Sequence, residues 1–181
     1  MNTQTCCKCD KEADIELDYG QRWYCHNHFL EMIEKRVRKE IRKFYSVDFD
    51  ETYYVYDDGS AAFEVMKYFT DNIFDDYLDI HVTKDIENSQ YYFEPVTMEE
   101  ALENMIQAFF ENRSFNFSKT KKPLRVVMDE EIKILTDILD IDREVEHVDH
   151  EFIEKMQEKY SSSKFSMLKS LKYFQHEQEL E

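Results

Sequence analysis

The distribution of the cysteines constrains the fold of this chain more than any other feature of its sequence. All four cysteines lie within the first 25 of 181 residues, and three of them belong to two short pairs, Cys6-x-x-Cys9 and Cys25-x-x-His28. The segment between the pairs, which ends IELDYGQRWYC, alternates in hydrophobicity and contains a glycine, so it predicts a two-stranded ribbon. Two such knuckles predict a structural zinc ion held by Cys6, Cys9, Cys25 and His28, with no open position for water.

A disulfide or a redox-active pair is the alternative use of a C-x-x-C sequence. Disulfides are uncommon inside cells, and two features indicate an intracellular chain. It has no run of 18 apolar residues, and its N-terminus, MNTQTCCKCDKEADIE, is unlike a signal peptide. We therefore expect a cytoplasmic protein with zinc as its cofactor and no membrane partner. Cys7 and His26 lie next to the predicted ligands and are expected to be spare.

A basic amphipathic helix is predicted directly after the second knuckle. In FLEMIEKRVRKEIRKFY, apolar residues recur at helical spacing from Phe29 to Phe44. The other faces of this helix present six cations: Lys35, Arg36, Arg38, Lys39, Arg42 and Lys43. Two interpretations of these cations remain open. They form either a solvated surface, paired with Glu31, Glu34 and Glu40, or a surface that contacts nucleic-acid phosphates.

A strand, a glycine turn and a helix are predicted from YYVYDDGSAAFEVMKYF, residues 53–69. Many α/β proteins hold a phosphate group on the backbone N–H groups of such a turn. Here, Asp57 and Asp58 stand where the phosphate would lie. The residues alone leave two interpretations open: a nucleotide site, or the remains of one.

Two more strands are predicted after this unit, at 78–82 and 91–96, and a helix follows them in TMEEALENMIQAFFEN. Thr97 and Glu100 form a capping box at the start of that helix. The succession β, α, β, β, α is typical of an open α/β sheet.

The charge of the chain is unevenly distributed. The formal net charge is −17, from 23 basic and 40 acidic residues, which argues against a generic nucleic-acid-binding protein. The acid is concentrated in residues 45–110, which contain 2 basic and 16 acidic side chains. Basic stretches flank this segment, and the second one, residues 112–128, includes phenylalanines that could stack on RNA bases. Its cations, which also fit an apolar loop with solvated lysines, are Arg113, Lys119, Lys121, Lys122 and Arg125.

The order of these pieces resembles the PP-loop tRNA 2-thiolation proteins. Both knuckles, the basic helix and the strand–glycine turn–helix look like the start of those proteins. Three later segments are similar too: TMEEALENMIQAFFEN, KPLRVVMDEEIKIL with its Pro-Leu-Arg sequence, and the terminal helix pair EFIEKMQEKYSSSKFSMLKSLKYF. The resemblance implies an α/β fold, in which an N-terminal zinc ribbon precedes a reduced, Rossmann-like PP-loop sheet with a helical C-terminal part. The implied domains are a zinc ribbon at 1–30, a basic connecting helix at 31–46 and a degenerate PP-loop-like domain at 47–181.

Two departures from this family change the implied function. In active members the turn that cradles ATP reads Ser-Gly-Gly-x-Asp-Ser, whereas the aligned residues here are Asp57, Asp58, Gly59, Ser60, Ala61 and Ala62. Two carboxylates at a helix N-terminus would repel a triphosphate, so we expect no ATP binding. Active members also use internal cysteines for sulfur transfer, often with an iron–sulfur cluster, and this chain has no cysteine after Cys25.

Among these proteins, the chain most resembles the non-catalytic subunits of eukaryotic cytoplasmic tRNA 2-thiolation complexes. The resemblance implies a degenerate subunit that is not an enzyme and pairs as a heterodimer with a catalytic PP-loop subunit. The implied complex binds tRNA and thiolates the wobble uridine (mcm5s2U), with sulfur from a thiocarboxylated ubiquitin-like carrier. A zinc-ribbon adaptor without an RNA role is the alternative. An ATP-using enzyme is the least favoured interpretation because the phosphate turn is altered.

Overall fold

A short antiparallel hairpin forms the N-terminal part of the computed structural model. The structure describes residues 4–86, 91–111, 120–143, 151–160 and 163–178. Strand β1 (Ile15–Leu17) pairs with strand β2 (Arg22–Tyr24). Alternate side chains of the hairpin, from Ile15, Leu17 and Tyr24, are buried. This one-sided burial explains the alternating sequence and confirms the predicted two-stranded ribbon.

Helix α1 (His26–Phe44) follows the hairpin directly. Its apolar stripe is buried as the helical spacing predicts, with Phe29, Ile33 and Val37 at most 1% exposed. The helix begins at His26, inside the 1–30 range predicted for the zinc ribbon. It ends at Phe44, after which Tyr45 adopts an extended backbone. Domain boundaries at residues 30 and 46 therefore stay a prediction from sequence.

A four-stranded sheet forms the centre of the molecule. Its strands are β3 (Tyr53–Tyr56), β4 (Ile80–Thr83), β5 (Tyr92–Phe93) and β6 (Thr120–Lys121). They are all parallel and lie in the order β4-β3-β5-β6. The parallel sheet confirms the predicted α/β class. The strands predicted at 78–82 and 91–96 are present with shifted bounds, whereas β6 was not predicted.

In the described part of the chain, one helix connects β3 to β4, another connects β5 to β6, and three more follow the last strand. Those described after α1 are α2 (Ala61–Phe74), α3 (Met98–Phe110), α4 (Asp129–Leu139), α5 (Glu151–Lys159) and α6 (Ser163–Gln178). The capping box predicted at the start of α3 is present, because Thr97 N donates to Glu100 Oε2 at 2.8 Å and Glu100 N donates back to Thr97 Oγ1 at 3.5 Å. The last three helices confirm the helical C-terminal part.

One continuous hydrophobic cluster joins the hairpin to the rest of the chain. It runs from Leu17 in β1 through Phe29 in α1 and Phe93 in β5 to Leu168 in α6. The ribbon therefore shares its core with the α/β part. Within the described ranges, no helix is long and apolar enough to cross a bilayer.

Candidate metal centre and phosphate turn

The two knuckles bring four potential metal ligands together at the start of α1. Cys6 Sγ lies 3.6 Å from His28 Nδ1, and Cys25 Sγ lies 3.4 Å from the same nitrogen. Cys9 Sγ and Cys25 Sγ are 3.9 Å apart. All four ligand atoms lie within 4.8 Å of one another. The residues that the sequence proposed as ligands therefore form one cluster that could hold a metal ion.

These distances fit a tetrahedral arrangement around a single ion. With metal–sulfur bonds of about 2.3 Å and metal–nitrogen bonds of about 2.0 Å, tetrahedral angles place two sulfurs about 3.8 Å apart and a sulfur and a nitrogen about 3.5 Å apart. The observed separations of 3.9, 3.6 and 3.4 Å lie close to these values. Four protein atoms complete such a shell, so an ion held here would stabilise structure rather than activate water.

Local backbone contacts position the cysteines. Cys25 immediately precedes α1, with its carbonyl oxygen accepting a hydrogen bond from Phe29 N at 3.0 Å. Burial alone would raise the pKa of the Cys6 thiol, but hydrogen bonds from backbone groups of Cys25, Lys8 and Cys9 outweigh it and lower the pKa to about 6. The thiolate, which is the form that binds metals, is thereby favoured.

Cys7 and His26, which were predicted to be spare, lie outside the ligand cluster. Cys7 is exposed, and its backbone N donates to the carbonyl oxygen of Trp23 at 2.9 Å, which ties the first knuckle to β2. His26 points away and its Nε2 lies 2.8 Å from Asp14 Oδ2. Neither belongs to the group of atoms that could share the ion.

In the phosphate turn, the chain's own oxygens satisfy the backbone N–H groups. Asp57 Oδ1 accepts from Gly59 N at 3.0 Å, and Asp58 Oδ1 accepts from Ser60 N at 2.9 Å. Ser60 caps α2 by accepting from Phe63 N at 3.1 Å. Gly59 has φ of +85°, a left-handed conformation that favours glycine. Ala61 and Ala62, the remaining residues of the predicted turn, form the buried first turn of α2.

Two cations that the sequence did not suggest neutralise the turn. The side chain of Asp57 is 11% exposed and lies 3.3 Å from Arg143 Nη1 and 3.6 Å from Lys84 Nζ. Burial works to raise the pKa of this carboxyl, but the Gly59 N–H and both cations hold it below its usual range. Arg143 also pairs with Glu64 at 2.7 Å. No local pattern could have revealed these partners, because they lie far along the chain from Asp57.

The six cations predicted on α1 divide into two groups. Lys35 pairs with Glu31 at 3.1 Å, Arg38 pairs with Glu34 at 2.7 Å, and Arg36 pairs with the buried Glu131 of α4. The solvated, ion-paired interpretation thus describes part of this helix. The second group is exposed and has no ion pair among the described residues; its members are Lys39, Arg42 and Lys43.

In the second basic stretch, residues 112–128, the prediction for Arg125 is wrong. Arg125 was predicted to contact RNA, but it is 1% exposed and its Nε donates to Glu40 Oε1 at 2.6 Å. A buried, paired guanidinium supports the fold and is not available to a ligand. Lys121 Nζ donates to the Ser46 carbonyl at 2.8 Å, and Lys122 pairs with Glu94 at 3.0 Å. The other two predicted contacts, Arg113 and Lys119, lie outside the described residues.

The parallel sheet and the helices packed around it define an α/β fold that this chain shares with a solved protein. A solved structure with this fold is "U34-tRNA thiolase NcsA from Methanococcus maripaludis with its [4Fe-4S] cluster". The two superpose with a TM-score of 0.73, over 96% of this chain and 88% of that one, with 12% sequence identity. At that identity, the similarity establishes the fold. No protein-family model matches the chain, and no curated protein matches it.

The four-ligand cluster of this chain does not fit a centre of the [4Fe-4S] kind. Cubane clusters are held by four cysteine thiolates on separate irons, so their ligand atoms stand further apart than atoms that share one ion. Here the set is three cysteines and a histidine, all within 4.8 Å of one another. There is no cysteine after Cys25 that could contribute to a second cluster.

Proposed function

We propose that this chain is the non-catalytic subunit of a cytoplasmic complex that 2-thiolates the wobble uridine of tRNA. In this proposal it forms a heterodimer with a catalytic PP-loop subunit, which ligates sulfur from a thiocarboxylated ubiquitin-like carrier. The observation that supports it most is the fold similarity to a U34-tRNA thiolase, which spans 96% of this chain and 88% of that one. Because the superposition covers nearly all of both chains, the similarity extends beyond a single shared motif.

The state of the phosphate turn supports a non-catalytic role. The N–H groups of Gly59 and Ser60, which an ATP phosphate would need, already donate to Asp57 and Asp58. A triphosphate would have to displace these carboxylates from the two N–H groups. The chain also lacks an internal cysteine for sulfur transfer, so the chemical step is assigned to the partner.

The metal is proposed to be one zinc ion bound by Cys6, Cys9, Cys25 and His28. Zinc takes this ligand set in closed tetrahedral sites, and three of the ligand separations, 3.4, 3.6 and 3.9 Å, suit such a site. The zinc would hold the two knuckles to the start of α1 and take no part in the thiolation chemistry.

The partner interface is proposed to include the end of α3. Phe109 and Phe110 are 81% and 80% exposed there, with ring centroids 6.0 Å apart. Adjacent exposed aromatic side chains are a feature of protein–protein contacts. Co-purification from native extract should recover the catalytic subunit with the wild-type chain. The double variant Phe109→Ser, Phe110→Ser should fold and lose that subunit.

Deletion of the gene tests the function directly. We expect 2-thiouridine to disappear from the wobble position, as measured by mass spectrometry of purified tRNA. Wild-type protein should restore it, and so should the double variant Asp57→Ala, Asp58→Ala, because the turn is not proposed to bind ATP. Calorimetry on the isolated chain should detect no ATP binding, with the catalytic subunit as the positive control.

A zinc-ribbon adaptor without an RNA role is the second candidate. The observation that favours it is the pairing of Lys35, Arg36 and Arg38 with carboxylates of the same chain, which reduces the basic surface of α1. Persistence of wobble thiolation in the deletion strain would select this candidate over the first.

A further inference from the structure

Three adjoining concave regions follow one side of α1. The first, about 510 Å³, extends from Lys8 in the metal knuckle to Lys39. The second, about 290 Å³, lies between the C-terminal half of α1 and α6, where Lys169 lines it. The third, about 360 Å³, reaches the hairpin. Arg36 lines all three, so they form one open surface, which we call the α1–α6 cleft.

The charge of the α1–α6 cleft is opposite to that of the protein. Its lining includes seven of the 23 basic residues but only two of the 40 acidic ones. Both acids are already paired, Glu31 with Lys35 at 3.1 Å and Glu40 with the buried Arg125 at 2.6 Å. A chain with a formal charge of −17 therefore has a positive cleft, which would attract a polyanion and keep it away from the acidic surfaces.

The lysines of the cleft are spaced for a linear anion. Lys35, Lys39 and Lys43 are four residues apart on α1, which places one ammonium group about every 6 Å along the helix axis. Lys169 faces them from α6, and Lys8 extends the row into the metal knuckle. Lys39, Lys43 and Lys169 have no ion pair among the described residues. A row of cations in an open cleft, three of them without an ion pair among the described residues, suits successive backbone phosphates better than one enclosed small molecule.

Aromatic side chains lie among these cations. Phe44 and Phe165 line the part of the cleft between α1 and α6. The Phe165 ring is half-buried and held at 4.9 Å from the Tyr19 ring. Unpaired RNA bases stack on aromatic rings. A ring held in place beside a row of lysines could therefore stack on a base while the lysines contact the phosphates.

We propose that the α1–α6 cleft is where this subunit holds the sugar–phosphate backbone of RNA. This inference rests on the proposed role in tRNA thiolation and deepens it, because it assigns the RNA contact to one surface. It adds Lys8, Lys169 and Phe165 to that surface. It also moves the contact away from Lys121, Lys122 and Arg125, which the chain uses for internal contacts.

A matched pair of triple variants tests the cleft. The first is Lys39→Gln, Lys43→Gln, Lys169→Gln in the full-length chain. The control has the same change in charge on other helices: Lys67→Gln, Lys133→Gln, Lys159→Gln. Binding of unmodified tRNA is measured over a range of salt concentrations, and circular dichroism and metal content confirm that both variants are folded.

The cleft variant should bind tRNA about tenfold or more weakly at moderate salt, and the slope of log affinity against log salt should fall by about 2 to 3, since each lost phosphate contact removes about 0.7 to 0.9. The control should bind like wild type. Equal weakening of both variants, unchanged binding by the cleft variant, or no tRNA binding by wild type would each overturn the inference.

The same variants separate this inference from the proposed function. Loss of wobble thiolation on gene deletion, combined with normal tRNA binding by the cleft variant, would refute the cleft and leave the function standing. Unchanged thiolation in the deletion strain, with tRNA binding that depends on the cleft, would leave an RNA-binding protein of another kind.

Discussion

The buried ion pair between Arg125 and Glu40 should make this fold sensitive to the loss of either partner alone. The two side chains are 1% and 4% exposed, with the donor and acceptor atoms 2.6 Å apart. They join α1 to the turn at Pro123–Val126 that follows β6. The Arg125 guanidinium also stacks over the rings of Phe44 and Tyr45, at 5.2 and 5.5 Å from their centroids.

Removing one partner should be far more destabilising than removing both. Arg125→Met leaves the Glu40 carboxylate buried without its main partner, which costs about 3–5 kcal/mol of unfolding free energy. A domain of this size has about 5–15 kcal/mol in total, so the loss amounts to about a fifth of the total stability or more. Adding Glu40→Leu removes the second charge. The double variant should lose only about 1–2 kcal/mol, mostly from the cation–π contacts.

Urea unfolding of the wild type, both single variants and the double variant measures the coupling between the two residues. We expect the double variant to be more stable than Arg125→Met alone. Additive losses in the double variant, or a loss below about 1 kcal/mol in Arg125→Met, would refute the argument from buried charge.

Two other predictions concern the metal and the response to pH. Elemental analysis should find one zinc per chain, which Cys9→Ser abolishes and Cys7→Ser retains; iron in place of zinc, or a folded metal-free protein, would contradict this. Burial raises the pKa of Glu99 to about 7, with Asp129 adding to the effect and Lys164 opposing it. Because the folded pKa is the higher one, the associated stability is present at low pH and is lost as pH rises toward 7. The urea midpoint should therefore fall between about pH 5 and 7, and Glu99→Gln should remove that fall; parallel profiles for the two proteins would contradict it.

Features that depend on neighbours in sequence were predictable here. The ligand cluster follows from two pairs in which each ligand is three residues from the next, and both pairs are placed by one hairpin and the first turn of α1. The buried stripe of α1 follows from its 3.6-residue period, and the capping box from Thr97 and Glu100 alone. Each of these patterns is complete within a single element, so its local physics determines the outcome.

Features that depend on distant partners were not predictable. Arg125 resembled an RNA contact because lysines surround it in the sequence, yet its partner Glu40 lies 85 residues earlier. Arg143, which neutralises Asp57, lies 86 residues after it. Strand β6 has only two paired residues, which is too short for an alternating pattern to be visible. The tertiary fold brings these partners together, and a single sequence does not show that topology.

The metal centre and the proposed RNA cleft adjoin each other and share a residue. His28 is both a candidate ligand and a wall of the cleft, and Lys8 lies in the loop between Cys6 and Cys9, so an ion there fixes the position of the first lysine in the row. At the hairpin, the Tyr19 hydroxyl donates to Glu131 Oε1 at 2.7 Å, and Arg36 pairs with the same carboxylate. Loss of the metal would therefore release one end of the cleft. On this reasoning, an ion at this site would hold the basic surface in position relative to the rest of the fold.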